Sequence, residues 1–335
     1  MKSDSIAKRK VLFYVLPVLA VYIIWGIYMQ AAGQWYLFRD NWFMTLTMVF
    51  GSFVAGASSE GGGAIAYPVM TLVFNITPEV ARNFSLAIQS IGMTAATLWI
   101  FAKRITIEKT YLLLSGMGGL AGVVFGAIWI APLVQAAYAK MMFVSFWLSF
   151  GIALFVINHI RKRNTRRQLP RLTGFQKGEL IAMGFLGGIL SAIFGNGIDI
   201  CTFSFVTLKY SLSEKVATPT SVVLMTSNAI VGTMMHMFLL GDMQVEALNY
   251  WLVCIPVVML GAPFGANLLH KINRISIAIM LYLIIIAQFI AAVLIIQPSG
   301  RLMIVSFLTF LTGIGIFFFL TSRHKKLELE SITDE

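Results

Sequence analysis

Two carboxylates, Glu60 and Asp199, stand inside glycine-rich interruptions of long apolar runs: Ser59-Glu60-Gly61-Gly62-Gly63 and Gly195-Asn196-Gly197-Ile198-Asp199. An acidic side chain at membrane depth costs about 3 kcal/mol, so its presence there marks function by default. Burial favours the neutral acid over the carboxylate, which lets such a group exchange a proton. The competing role is capping: Asp199 falls in the first turn of the segment that follows it, where a carboxylate is favourable. The glycines carry a second kind of chemistry. A broken helix frees backbone groups that lipid cannot satisfy, so the break must line a cavity or be buried in protein. Amides at the start of the following arm, around Gly62–Ala64 and Gly197–Asp199, suit an anion, while carbonyls ending the preceding arm suit a cation. Both options stay open on spacing alone.

Polar side chains follow each break: Asn83, Ser85, Gln89 and Thr94 in one run, Thr218, Thr220, Ser221, Thr226, Ser227 and Asn228 in the other. Ser85 and Gln89 are four apart and share a helix face. Such groups hydrogen-bond either oxyanion oxygens or a neighbouring helix. Backbone groups at Gly61, Gly62, Gly63 and Gly197, with Ser85, Gln89, Asn196 and Ser221, form the candidate substrate site. Glu60 and Asp199 are the candidate proton-coupling pair. The other acids map to span ends or loops, and no Lys or Arg falls at mid-depth. His236 lies near the outer end of a span. An enzyme would need a nucleophile–base pair or metal ligands at depth. No histidine lies near either break, and Cys201, the thiol close to one, has no evident base. Neither Cys201 nor Cys254 suggests a disulfide or metal site, and no cofactor is implied.

The elements that must hold these residues follow from composition. The 335 residues are 58% apolar and only 12% charged, with a mean hydropathy of +0.83. That excludes most soluble domains and intrinsic disorder. Runs long enough to cross a bilayer occur near 11–29, 80–102, 110–131, 139–160, 216–240, 247–270, 275–297 and 301–322. The interrupted regions 42–76 and 178–210 read as helical hairpins that enter, break and return to the same side. The first run is longer than a signal-peptide core and reads as a retained span. With Lys2 to Lys10 in the cytoplasm, only Arg39, Arg82, Lys140 and Arg301 of the 25 Lys and Arg fall outside. The net charge of +11 is therefore mostly a topology signal that puts both termini in the cytoplasm, and it does not imply nucleic acid.

Sliding the chain on itself by 136 residues sets Gly51 on Gly187, Gly61 on Gly197, Thr71-Leu72 on Thr207-Leu208 and Ser85 on Ser221. With three further residues, Gly122-x-x-Phe125-Gly126-Ala127 meets Gly261-x-x-Phe264-Gly265-Ala266. The expected fold is an all-α integral membrane protein of two inverted repeats. Each repeat is a broken re-entrant hairpin plus three transmembrane helices, and one extra helix stands at each end. By residue, 1–40 hold the N-terminus and first span, 41–160 repeat 1, 161–177 a basic cytoplasmic loop, and 178–297 repeat 2. An extra span at 298–322 and a disordered polar tail at 323–335 complete the chain. Inverted repeats with paired interrupted helices are a secondary-transporter architecture, with the solute site where the breaks meet. Glycines used only for close helix packing are the alternative.

At these residues the chain resembles the sulfite exporter TauE/SafE family. The carriers are Gly51-x4-Gly56-x4-Gly61-Gly62-Gly63-x4-Pro68, Gly188-x2-Ser191-x3-Gly195-x-Gly197, Ala217-Thr218-x-Thr220-Ser221 and Gly261-x3-Gly265. The resemblance spans about 42 to 297. It implies a bacterial inner-membrane carrier of small organosulfur or organic anions such as sulfite, sulfoacetate or related sulfonates, usually by export. One departure is Gly197-Ile198-Asp199, where the family has a triple glycine; an acid there repels an anion unless protonated. The expected partners are a small anionic substrate and the lipid bilayer, with a homodimer left open. A sodium- or proton-coupled carrier of a neutral solute is the first rival reading, a membrane-embedded enzyme the second.

Overall fold

The computed structural model describes residues 2–59, 61–160 and 164–333. Its helices are α1 (Lys2–Ala31), α2 (Leu37–Asp40), α3 (Trp42–Ala57), α4 (Gly63–Pro68), α5 (Pro78–Ala102), α6 (Lys109–Phe125), α7 (Ala136–Phe155), α8 (Gly174–Phe194), α9 (Ile198–Lys209), α10 (Glu214–Met234), α11 (Val245–Lys271), α12 (Arg274–Ile296) and α13 (Gly300–Thr333). Among the described residues, nine helices are long and apolar enough to cross a membrane. The ninth, beyond the eight read from sequence, is α8. A Thr173–Gln176 capping box starts it at Gly174, which gives the first arm of the second hairpin full spanning length. At the far end α13 continues as helix to Thr333, through the tail expected to be disordered; its Lys, Leu and Glu residues are strong helix formers.

Both interrupted regions fold back on themselves. In the second, Lys209 Nζ pairs with Glu179 at the open end. A Cβ on Gly187 would lie 3.2 Å from Cys201 Cβ, and Ser191 Oγ accepts the Ile198 amide at 3.0 Å at the tip. In the first, the same construction places Gly62 3.6 Å from Ala55 and Gly51 3.8 Å from Ile65. The arms of each pair are therefore antiparallel, with the break at the turn. The return arms are short: α4 passes into a π-type turn ending at Val73, and α9 has 12 residues.

Helix directions can be read from residue pairs. Between α5 and α10, Leu86 faces Gly232 at 3.1 Å, Thr97 Oγ1 bonds Thr226 Oγ1 at 2.8 Å, and the Glu108 amide just beyond α5 donates to Thr220 Oγ1 at 2.9 Å. Residue numbers rise on one helix as they fall on the other, so these two are antiparallel. By contrast α3 runs parallel to α11, with Ser52 and Ala57 against Gly261 and Gly265. Likewise α6 runs parallel to α8, with Ser115 and Gly119 against Gly184 and Gly188. Both seams depend on missing side chains: a Cβ on Gly56, Gly118, Gly122 or Gly188 would run into backbone of the facing helix. Small residues let membrane helices meet backbone to backbone in this way. The glycines therefore serve packing as well as breaks, each at different positions.

The interior helices are α5, α7, α10 and α11, whereas α1, α12 and α13 turn most of their apolar surface outward. Ile23, Ile24 and Ile27 on α1, Leu283 and Leu294 on α12, and Phe307 and Leu308 on α13 are exposed. A surface of that kind is stable facing acyl chains rather than water.

Candidate functional site

The two breaks meet. Gly61 has a φ of +66°, and a Cβ placed on it would run into Gln89 Oε1 and stand 3.0 Å from Asp199 Oδ2. The tip of the first hairpin, α5 and the tip of the second thus share one point. Gln89 ties them together: its Nε2 donates to Ser85 O at 2.8 Å and to Gly195 O in the second break at 2.7 Å. Ser85 packs against Gly195, whose φ of +78° and closeness to Ser85 Cβ and Arg82 O leave no room for a side chain.

Asp199 is fully buried. Its Oδ1 accepts the amides of Gly197 at 3.2 Å and Ile200 at 3.0 Å, which is the capping role. Its Oδ2 has no partner, and neither has Gln89 Oε1. Two acceptors around Gly61 with no donor between them are an unfinished hydrogen-bond arrangement, and buried polar atoms left so are rare and informative. A proton on Oδ2 turns one acceptor into a donor. A cation bound between the two oxygens would satisfy both.

Ser59 Oγ and Ser52 Oγ are also buried without a partner. A cavity of about 10 Å³ lies against Met48, Ser52, Gly62, Gln89, Gly92 and Val258, room for one water at most. The repeat offsets carry Gly62, Gly92 and Val258 onto Ile198, Asn228 and Gly119. There Asn228 and Ile198 crowd Gly119, and both polar atoms of Asn228 are buried without partners. The centre is therefore closed, polar and incompletely bonded on both sides.

The candidates read from sequence fall into three groups. Gly61, Gly62, Ser85, Gln89, Asn196, Gly197 and Asp199 are buried around the paired breaks, and Gly63 opens α4. Ser221 is buried too, but the bond it donates goes to Thr218 O on its own helix. Thr220, Thr226 and Ser227 bond carbonyls of their own helix in the same fashion. Glu60 lies outside the described residues. The Gly197 amide, expected to face an anion, is engaged by Asp199 in this conformation.

Sequence reading missed two polar clusters at opposite ends of α10. At one end Asp242 takes His236 Nδ1 at 2.7 Å and Arg82 at 3.4 Å, while Asn83 Nδ2 donates to Asp242 O and Gln244 Oε1. His236 lies at the end of its span, as expected, and its side chain is buried. At the other end Glu214, expected at a span end or in a loop, opens α10 and is fully buried. It accepts from Asn158 Nδ2 at 3.1 Å, and Arg274 reaches both Asn158 Oδ1 at 2.9 Å and Glu214 at 3.7 Å. Each cluster crosses between the two halves of the chain. Their members sit at apolar-run boundaries, where a charge draws no notice in sequence.

Nine candidate spans among the described residues, with a buried polar centre where two broken hairpins meet, define a multi-pass helical membrane protein. Residues 44–292 match the sulfite exporter TauE/SafE family, and the chain belongs to that family of membrane transporters. It is also similar to the Bacillus subtilis (strain 168) protein named "Probable membrane transporter protein YunE", with 25% identity over 233 residues, 64% of this chain and 81% of that relative. No solved structure matches the chain.

Proposed function

We propose that this transporter is a proton-coupled secondary carrier of a small organosulfur or organic anion, such as sulfite, sulfoacetate or a related sulfonate or carboxylate. On this reading it lies in the bacterial inner membrane with both termini cytoplasmic, and 41–160 and 178–297 are inverted repeats. What supports the inversion is the antiparallel packing of α5 on α10, which the repeat offset makes equivalent. The observation that carries the coupling is the pair of unpartnered oxygens, Asp199 Oδ2 and Gln89 Oε1, around Gly61 where the breaks meet.

Ionised Asp199 holds the Gly197 and Ile200 amides with charge-assisted bonds. Protonation weakens those bonds by roughly half and supplies the donor that Gln89 Oε1 lacks. The amides at the start of α9 are then free to turn to an oxyanion, with Ser85, Asn196 and the Gly61–Gly63 backbone completing its shell. Glu60 supplies the corresponding group from the first break. Proton and anion therefore bind together and move in the same direction. Export, the direction in the family's name, requires an outward anion gradient that exceeds the opposing proton gradient. The clusters at Asp242 and Glu214 act as the two gates, outer and inner.

The test is reconstitution in proteoliposomes with an imposed pH gradient and sulfite or sulfoacetate as substrate. Wild type should move protons with the anion. Unchanged coupling in a Glu60→Gln, Asp199→Asn double variant overturns the proton role. The same two oxygens favour one further reading, sodium in place of the proton. Sodium-dependent, pH-independent flux identifies it.

A further inference from the structure

Lys140 has no place in the mechanism above. It is 6% exposed, near the start of α7. Its Nζ donates to Thr71 Oγ1 at 2.6 Å and lies 5.3 Å from the centre of the Tyr67 ring. Thr71 spends its own hydroxyl proton on Tyr67 O at 2.8 Å. Among the described residues no carboxylate reaches the ammonium within ion-pair distance. An ammonium carries three donors; one meets a neutral hydroxyl, and two find no acceptor among the described residues. Burying a cation against a hydroxyl and a ring face alone is costly, and an apolar side chain would be cheaper. Lysines at a membrane boundary ordinarily extend their charge toward water. This one turns inward, onto the return arm of the first hairpin.

Thr71 is eight residues beyond Gly63 on that arm, about 12 Å along it, toward its outer end. Of the other basic residues on the same side, Arg39 is exposed and paired with Asp40, Arg82 is held by Asp242, and Arg301 is exposed. We propose that Lys140 is an anion-binding residue on the outer access path. A small oxyanion accepts its two unused N–H donors before reaching, or after leaving, the paired breaks. The inference rests on the anion-carrier reading and adds a second station to it.

The experiment uses the full-length protein in oriented proteoliposomes, with sulfite and sulfoacetate as probes and half-saturation measured separately from each face. In Lys140→Gln the outer half-saturation concentration should rise about tenfold or more, as loss of a charged hydrogen bond predicts. The inner value should stay within twofold, and the ratio of maximal influx to maximal efflux should shift in compensation, because no substitution alters the transport equilibrium. Lys140→Arg should retain the wild-type outer value. Thr71→Val removes the hydroxyl that positions the ammonium but keeps the charge, and should shift the outer value by less than threefold. Equal outer half-saturation in wild type and Lys140→Gln overturns the site while leaving the carrier reading intact. If Thr71→Val matches Lys140→Gln, the lysine only braces the hairpin, and the proposal fails. No anion flux in wild type overturns the carrier reading and this site with it.

Discussion

Gly61→Ala probes the point where the two breaks touch. The φ of +66° at this position costs an L-residue about 1 kcal/mol relative to glycine. The new methyl also runs into Gln89 Oε1. That carboxamide has little freedom to yield, because Nε2 is bonded to Ser85 O and Gly195 O. Displacing it releases two buried hydrogen bonds at about 1 kcal/mol each. The total is about 3 kcal/mol, of which about 2 pass through Gln89. In a Gln89→Ala background the methyl meets no carboxamide; the backbone strain of about 1 kcal/mol and the 3.0 Å approach to Asp199 Oδ2, common to both backgrounds, remain. Reversible unfolding of the four proteins in mixed micelles gives the cycle directly, with an expected coupling of about 2 kcal/mol, a factor of about 30 in the unfolding equilibrium. If Gly61→Ala costs the same in both backgrounds, the break does not rest on Gln89 and the geometry argued for the site is wrong.

Asp199→Asn keeps an acceptor for the Gly197 and Ile200 amides and offers a donor to Gln89 Oε1, so its unfolding free energy should be no lower than wild type. Asp199→Ala should lose about 2 kcal/mol as both amides go unpaired, and equal losses in the two variants would refute the cap. Gly118→Ala should cost at least about 3 kcal/mol, because its Cβ meets backbone of α8, whereas Gly116→Ala, facing Leu224 at 3.5 Å, should be neutral or stabilising by up to about 1 kcal/mol. Similar melting temperatures for these two would sink the parallel seam. Asp242→Ala unlocks Arg82 and His236; a cysteine placed at Ser85 should then react several-fold faster with a membrane-impermeant maleimide, and an unchanged rate counts against an outer gate.

The breaks were legible because glycines and a carboxylate interrupt apolar runs, and nothing local compensates for them. Eight of the nine candidate spans among the described residues were legible from apolar length alone, α8 being the exception. What could not be read were pairings that need three dimensions. Glu214 and Lys140 look peripheral because each opens an apolar run. Asn158 and Arg274, from two other helices, approach the first where it is buried. The return arm brings Thr71 and Tyr67 onto the second. The Gly197 amide looked free because Asp199 is two residues away, and sequence does not say which way a carboxyl turns. Thr220 and Ser221 looked like ligands because hydroxyls on a membrane helix have two fates. Here their protons went to the preceding turn.

The two glycine seams bear on how the chain is made. Each hairpin is clasped by a helix from the other half: α3 by α11, and α8 by α6. The α6–α8 seam can close soon after α8 is synthesised. The α3–α11 seam must wait until residues near Gly261 emerge, while Ser52 stands on an unclasped helix and Ser58 and Ser59 lie just past its end. Neither half holds a finished packing surface, so each is an obligate partner of the other. A chain cut within the basic loop at 164–173 would behave as a heterodimer, with its two fragments inserting separately and maturing only together.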